Sequence, residues 1–267
     1  MPRWLPILLI LVVAAGIYWG TRSREEAKAT QHNIEVVAQP VSVIKPVDPL
    51  RDDPLGYLEG CLARCEKEVH GYTTTFRKQE RVAGKLLKAE KVIVHFREKP
   101  FSVHMQWQEG EGRAGKVLYV EGENKGNMLV RPKTLSLFVF EKDPEGAESK
   151  ASGRFPVTKF GILHGMRSTL ESMRAAKERG TLHLRYDGLV RLKEFGDRPV
   201  HQFERTPYEP PEVDGIHHLT IFIDPETGLQ IGSIVKNAAG ELLGEYFFCD
   251  LELNPIFAPE QFTRKAI

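Results

Sequence analysis

The stretch VHFREKPFSVHMQW, residues 94–107, decides the fold. After Lys99-Pro100, the side chains of Phe101, Val103, Met105 and Trp107 fall on one face and those of Ser102, His104 and Gln106 on the other. That period of two marks a half-buried antiparallel strand. Before the proline, Leu86 to Arg97 reads as the preceding strand, entered through a turn at Ala83-Gly84-Lys85. Further out, Tyr72, Thr74 and Phe76 alternate with Thr73, Thr75 and Arg77, and strands are expected at Lys116–Glu121, Asn127–Arg131 and Leu135–Glu141. Upstream the period changes: in PLGYLEGCLARCEKEVHG, residues 54–71, Leu55, Leu58, Leu62, Cys65 and Val69 recur at three and four, an amphipathic helix capped by Asp53.

Lys142–Lys159, rich in Gly, Pro, Ser and charge, reads as a long surface loop. A second helix is expected from Phe160 to Arg179, with Ile162, Leu163, Met166, Leu170 and Met173 on one side and Gly180 as its stop. Strands resume at Leu182–Tyr186, Leu189–Phe195, Val200–Arg205, His217–Ile223, Gln230–Lys236 and Glu241–Leu253, with turns at DPETG (224–228) and NAAG (237–240). Tight turns between successive strands exclude a parallel sheet, which needs long crossovers. The expected fold is α+β: one large curved antiparallel sheet, a half-open β-barrel of about 11–12 strands, covered by two helices.

The N-terminus is different in kind. WLPILLILVVAAGIYW, Trp4 to Trp19, carries no charge, and as a helix it spans about 24 Å at roughly 1.5 Å per residue. Residues 1–20 therefore read as a transmembrane anchor or signal segment, with Trp4, Tyr18 and Trp19 at the interfaces. Val13 and Ala15 offer a cleavage site before Gly16, but the apolar run continues past it, which favours an uncleaved membrane helix. Residues 21–52, with Pro40, Pro46 and Pro49, read as a flexible linker, and 53–267 as the folded domain. Arg22, Arg24 and Lys28 outnumber Arg3, which counted literally puts the domain in the cytoplasm; a short charged start before an apolar run is also how exported proteins begin.

Composition closes off several functions. With 37 Lys+Arg against 36 Asp+Glu in 267 residues, net charge +1, there is no basic field to hold nucleic acid. The three cysteines have no CxxC spacing, which argues against a zinc site; Cys61 and Cys65 lie one helical turn apart, and pairing with each other or with Cys249 stays open. No GxSxG, HExxH, phosphate loop or GxGxxG is present, so the chain reads as a non-enzyme without cofactor or metal. His217 and His218, drawn as a metal cluster with Asp214 and Asp224, would diverge as neighbours on a strand. Glu80, Glu90 and Glu98 among Arg77, Arg81 and Arg97 are expected to form cross-strand ion pairs on the solvated face.

Taken in order, VHFREKPFSVHMQW (94–107), GKVLYVEGENKGNMLVRP (115–132), HLTIFIDPETGLQIGSIV (218–235) and FFCDLELNPIFAPEQF (247–262) resemble the periplasmic lipoprotein-carrier superfamily, the LolA/LolB-like fold. The run FRKQERVAGKLLKAEKVIVHFREKPFSVHMQW (76–107) is more closely similar to an uncharacterised bacterial domain family within it. The resemblance implies export to the periplasmic side of the inner membrane. It also implies a hydrophobic cavity between sheet and helices that shelters a lipid or the acyl group of a lipoprotein. Its candidate lining is Phe101, Val103, Met105, Trp107, Leu219, Ile221, Ile223, Phe247 and Leu251. It further implies lid control by a basic residue before the proline; Lys99 occupies that place, with Arg97 two residues earlier, and lysine offers a point charge rather than a bidentate fork. The alternative is that these apolar residues fill a core and the domain is an envelope scaffold for a protein partner, acting through its convex face or the Lys142–Lys159 loop.

Overall fold

A computed structural model describes residues 48–209 and 215–267. The anchor or signal segment expected at 1–20, and all but the last residues of the expected linker, lie outside the described residues. Among the described residues no helix is long and apolar enough to cross a membrane. The first described element precedes Asp53: Asp48 caps a short helix, α1 (Pro49–Asp52), by accepting the Leu50 N–H. The next helix, α2 (Pro54–Glu68), follows directly, with Asp53 accepting the Gly56 N–H at 3.1 Å and Pro54 in the first turn, where its missing N–H costs nothing.

The strands are β1 (Gly71–Val82), β2 (Lys85–Leu86), β3 (Glu90–Arg97), β4 (Ser102–Glu109), β5 (Ala114–Val120), β6 (Met128–Pro132) and β7 (Phe140–Lys142). After two more helices, α3 (Ala147–Ser152) and α4 (Ile162–Glu178), come β8 (Leu184–Arg191), β9 (Pro199–Arg205), β10 (His218–Ile223), β11 (Gln230–Lys236) and β12 (Leu242–Leu253). They form one antiparallel sheet in the order β7-β6-β5-β4-β3-β1-β12-β11-β10-β9-β8, with β2 attached to β1. The sheet is open, and β7 and β8 are its edges.

Three expectations are corrected. Leu182–Tyr186 and Leu189–Phe195 are not two strands: Asp187-Gly188 is a bulge in a continuous β8, where Gly188 takes φ 104°, and Lys193–Phe195 is a single 3-10 turn. Leu135–Glu141 is strand only from Phe140, and the residues before it turn in solvent. The surface loop at 142–159 contains α3 and a 3-10 turn.

Register assigns the faces. Phe76 pairs with Val92 and Phe248, Val94 with Met105, Met105 with Val117 and Val117 with Val130, so these side chains share one face. The apolar sides of α2 (Leu55, Leu58, Leu62) and α4 (Leu163, Met166, Leu170, Met173) join the same buried core. On this helix face Tyr72 holds the centre. It is fully buried, stacks on Phe96 with ring centres 4.7 Å apart, and its hydroxyl oxygen accepts the N–H of Ile162 at 3.1 Å. Gly161 has no capping side chain, so Tyr72 satisfies a donor at the start of α4 that the helix cannot. Gly161 itself takes φ 124°, and a Cβ there would meet the Phe96 ring at 3.0 Å.

The opposite face carries two covers of its own. Phe195, Phe222 and Phe247 close over Gly232, whose built Cβ would lie 3.0–3.1 Å from all three rings. Further along, the C-terminal segment lays Phe262 and Ile267 over Leu118, Val120 and Leu129. There Gln261 Nε2 and His104 Nδ1 are hydrogen-bonded at 2.7 Å, and His104 stacks on His95.

Gly232→Ala is expected to destabilise the domain by about 1–3 kcal/mol, because three packed rings must move for one methyl group, read as a shifted denaturation midpoint at unchanged slope. A second expectation concerns pH. Burial, then the charges of His95 and Lys116, lower the His104 imidazole from 6.5 to about 4. The folded state thus binds the proton more weakly than the unfolded chain. Its contribution is complete above pH 6.5 and fades as pH falls through about 4, on the order of 3 kcal/mol in all. Denaturation of the parent and of His104→Gln at pH 7 and pH 4.5 checks this: the parent should lose more stability between the two.

Candidate functional site

Burial grades across the helix face. On β9 and β10, Phe203, Ile221 and Ile223 are buried beneath α2, whose Tyr57 stacks on Phe203. In the middle, Val103 and Met105 are buried as well. Toward β5, β6 and β7 the cover thins. Phe101, Trp107, Tyr119, Met128 and Val130 are half-buried, and Phe140, opposite Val130, is 38% exposed. Val103 pairs with Tyr119 and Val117 with Val130, so these residues form one apolar strip running out to the β7 edge.

The strip borders a charged cluster. Lys78 Nζ lies 2.7 Å from Glu80 Oε2 and 3.4 Å from Glu90 Oε2. The Tyr246 hydroxyl donates to Glu80 Oε1 at 2.9 Å, and Trp107 Nε1 donates to Glu90 Oε2 at 3.1 Å. Gly153 leans over it, its built Cβ 3.1 Å from Glu80 Oε2, with Arg154 beside Tyr246. Burial works against the Lys78 charge, but Glu80 and Glu90 outweigh it and hold the ammonium above its ordinary pKa. Burial and Glu80 push the Tyr246 hydroxyl far up. The expected surface position of Glu80 is therefore corrected: it is 4% exposed on the helix face, because it lies four residues on from Phe76 in the same strand.

Of the nine expected lining residues, Val103, Met105, Leu219, Ile221 and Ile223 are on the helix face and buried, and Phe101 and Trp107 lie on the half-buried strip. Leu251 is half-buried against the core. Phe247 is on the other face: it pairs with Gly232 and Arg77, in line with Phe222 and not with Ile221. The middle of the expected hollow is occupied by the protein's own side chains from α2 and α4. Arg97 also faces the other side, donating to Ser102 Oγ at 3.0 Å and lying over the Phe262 ring, and Lys99 is exposed on its turn. What ties α4 to the sheet is Tyr72, together with Arg205 Nη1 donating to Ser172 Oγ at 2.7 Å. Arg167 with Glu66 and Arg174 with Glu59 join α4 to α2 at the surface. The alternation through Tyr119, Met128 and Val130 carried the signal for the strip.

Cys61, Cys65 and Cys249 are free and buried, and burial pushes the Cys65 and Cys249 thiols up to about 11. Among the described residues no three His, Cys, Asp or Glu side chains gather as a metal site.

The class these features define is an α+β domain with one open antiparallel sheet and an apolar strip on its helix face. The family model DUF1571, described as a protein of unknown function, matches residues 69–266, and the chain belongs to that family. No curated protein matches it. Among solved structures, it is similar to MucB in the Pseudomonas aeruginosa MucA/MucB complex at 20% identity, covering 80% of this chain and 62% of that one, with a TM-score of 0.45. It is similar to the Mycobacterium tuberculosis lipoprotein LppX at 13% identity, covering 77% and 98%, TM-score 0.43. A putative outer membrane lipoprotein-sorting protein domain from Vibrio parahaemolyticus matches at 11% identity, covering 79% and 97%, TM-score 0.33. The chain thus spans less than two thirds of the MucB chain.

Lys78→Met should cost about 3–5 kcal/mol, since it leaves two carboxylates facing each other with no cation between them. Lys78→Met combined with Glu80→Gln and Glu90→Gln should regain part of that loss, measured by chemical denaturation.

Proposed function

We propose that this domain is a non-catalytic binding protein that holds an acyl chain of a lipid or lipoprotein along the helix face, tethered by residues 4–19 on the extracytoplasmic side of the membrane. The observation that carries it is the half-buried strip of Phe101, Trp107, Tyr119, Met128 and Val130: large apolar side chains, contiguous by register, under incomplete cover. Each methylene withdrawn from water contributes about 0.8 kcal/mol, so roughly eight on such a strip give about 6 kcal/mol, a dissociation constant in the tens of micromolar. Tighter binding requires α2 and α4 to move off the sheet, which frees the face at Met105 and Ile221. A second reading is favoured by the filled centre of that face: an envelope scaffold whose helix face is only a core.

Trp107 distinguishes the two. It is the only tryptophan in the compact unit 47–267, the others being Trp4 and Trp19. Titration of that unit with a brominated fatty acid is expected to quench Trp107 fluorescence saturably, at micromolar concentrations. Val130→Asp should weaken the binding about tenfold or more. Fluorescence that stays flat across the titration overturns the acyl-binding reading and leaves the scaffold.

A further inference from the structure

Where alternation in the sequence points to a strand, TLSLFVF at 134–140, the chain instead makes a turn between β6 and β7 that shows its apolar side chains to solvent. Leu135 is 52% exposed, Leu137 92%, Phe138 58% and Phe140 38%. The other large exposed apolar residues among those described, Leu86, Phe155, Leu189 and Ile256, are far apart in sequence. Four within six residues is a patch, and such patches mark contact with another apolar phase. On folding, an exposed leucine or phenylalanine forgoes roughly 1.5–3 kcal/mol of burial, so the turn holds back a sizeable free energy.

Shape says which phase. The patch is a projecting turn at the sheet edge. A stable protein partner needs about 800 Å² from each side, more than a turn of this length supplies. A bilayer interface accepts protruding leucines and aromatics without a matching surface. The flanks carry Arg131, Lys133, Lys142 and Arg264 against Glu141, Asp143, Glu145 and Glu148. Lys133 gives its ammonium to the Gly110 carbonyl, a neutral acceptor, at 2.8 Å, so its charge stays in the local field. The flanks as a whole balance, so the contact rests on the apolar side chains rather than on headgroup charge.

We propose that the 134–140 turn is a membrane-docking element, which seats Leu137 and Phe138 in the interface of a bilayer. The proposal stands whether or not the helix face holds an acyl chain.

The test uses the full-length protein with Leu137→Cys carrying an environment-sensitive fluorophore. Leu189→Cys, an exposed apolar position on the opposite edge strand, is the control. The native thiols are buried and react slowly. With vesicles of phosphatidylcholine and phosphatidylglycerol containing a spin-labelled lipid, the label at 137 should be quenched several-fold more than the label at 189. Leaving out phosphatidylglycerol or adding salt should leave the quenching nearly unchanged, and Phe138→Asp should remove most of it. Quenching at 137 no greater than at 189 overturns the proposal. So does a blue shift at 137 that appears without vesicles and grows with protein concentration, which would make a second copy of the chain the partner. Trp107 titration in the Phe138→Asp variant of the 47–267 unit should be unchanged, which separates failure of docking from failure of acyl binding.

Discussion

One sheet has to be covered by too little helix, and the rest of the structure follows from that shortage. Eleven strands side by side, at about 4.8 Å spacing, make a wall close to 50 Å wide. The two substantial helices have 15 and 17 residues and are each roughly 25 Å long. They seal the face over β9 to β11 and reach the centre, where Tyr72 accepts the first N–H of α4. Beyond that point the chain uses cheaper cover. The segment Gly153–Gly161 crosses the β1–β3–β12 region with Phe160 against Phe76, Phe96 and Phe248, and Gly153 closes onto the Lys78–Glu80 pair. The strip over β5 to β7 is what remains.

The opposite face solves the same problem without helices. Three phenylalanines converge because Gly232 lacks a side chain, and the C-terminal residues return to cap Leu118 and Leu129, pinned by Lys116 Nζ donating to the Ala266 carbonyl. With that face finished in two places, incomplete apolar cover is concentrated on the helix side near β7. The charged cluster marks the strip's inner boundary. Its carboxylates and lysine are engaged with one another and with Tyr246 and Trp107, and the hydrogen bond from Trp107 to Glu90 holds the indole at the rim.

The parts of this arrangement legible in sequence are those in which a period of two or 3.6 runs unbroken. Asp53-Pro54 marks the start of α2, and Ile162 through Met173 mark the buried side of α4. The alternation at Phe101–Trp107 places Val103 and Met105 on the helix face. Where the pattern misleads, the reason is local. β12 carries Asp250 at φ 50° and a register shift, so parity carried along the strand from Leu251 gives Phe247 the wrong face; pairing with Gly232 settles it. Arg97 is odd in the count that puts Phe96 and Val94 inward, and so it faces the C-terminal segment. In LSLFVF the alternation is real, but only Val139 reaches a buried cluster and among the described residues no strand pairs with 134–139; hydrophobic periodicity cannot report whether a partner strand exists. Glu80 is the converse case, a charge whose parity with Phe76 outweighs its polarity because Lys78 is there to neutralise it.

The strip and the exposed turn meet at one strand pair. Val130 of β6 lies opposite Phe140 of β7, and the turn between those strands carries Leu137 and Phe138. An apolar chain moving between a bilayer and the helix face through open water would expose every methylene at once, at about 0.8 kcal/mol each. Along a contiguous apolar path only the few methylenes crossing the gap are exposed at any moment, so the barrier scales with the gap and not with the chain length. The edge position matters for the same reason. A turn between central strands would be hemmed in by neighbours, whereas β7 has no strand beyond it. On the proposed reading the open edge of the sheet, ordinarily a liability for aggregation, is where the apolar strip of the helix face reaches a second apolar phase, since among the described residues Val130 and Phe140 join the strip to the exposed turn.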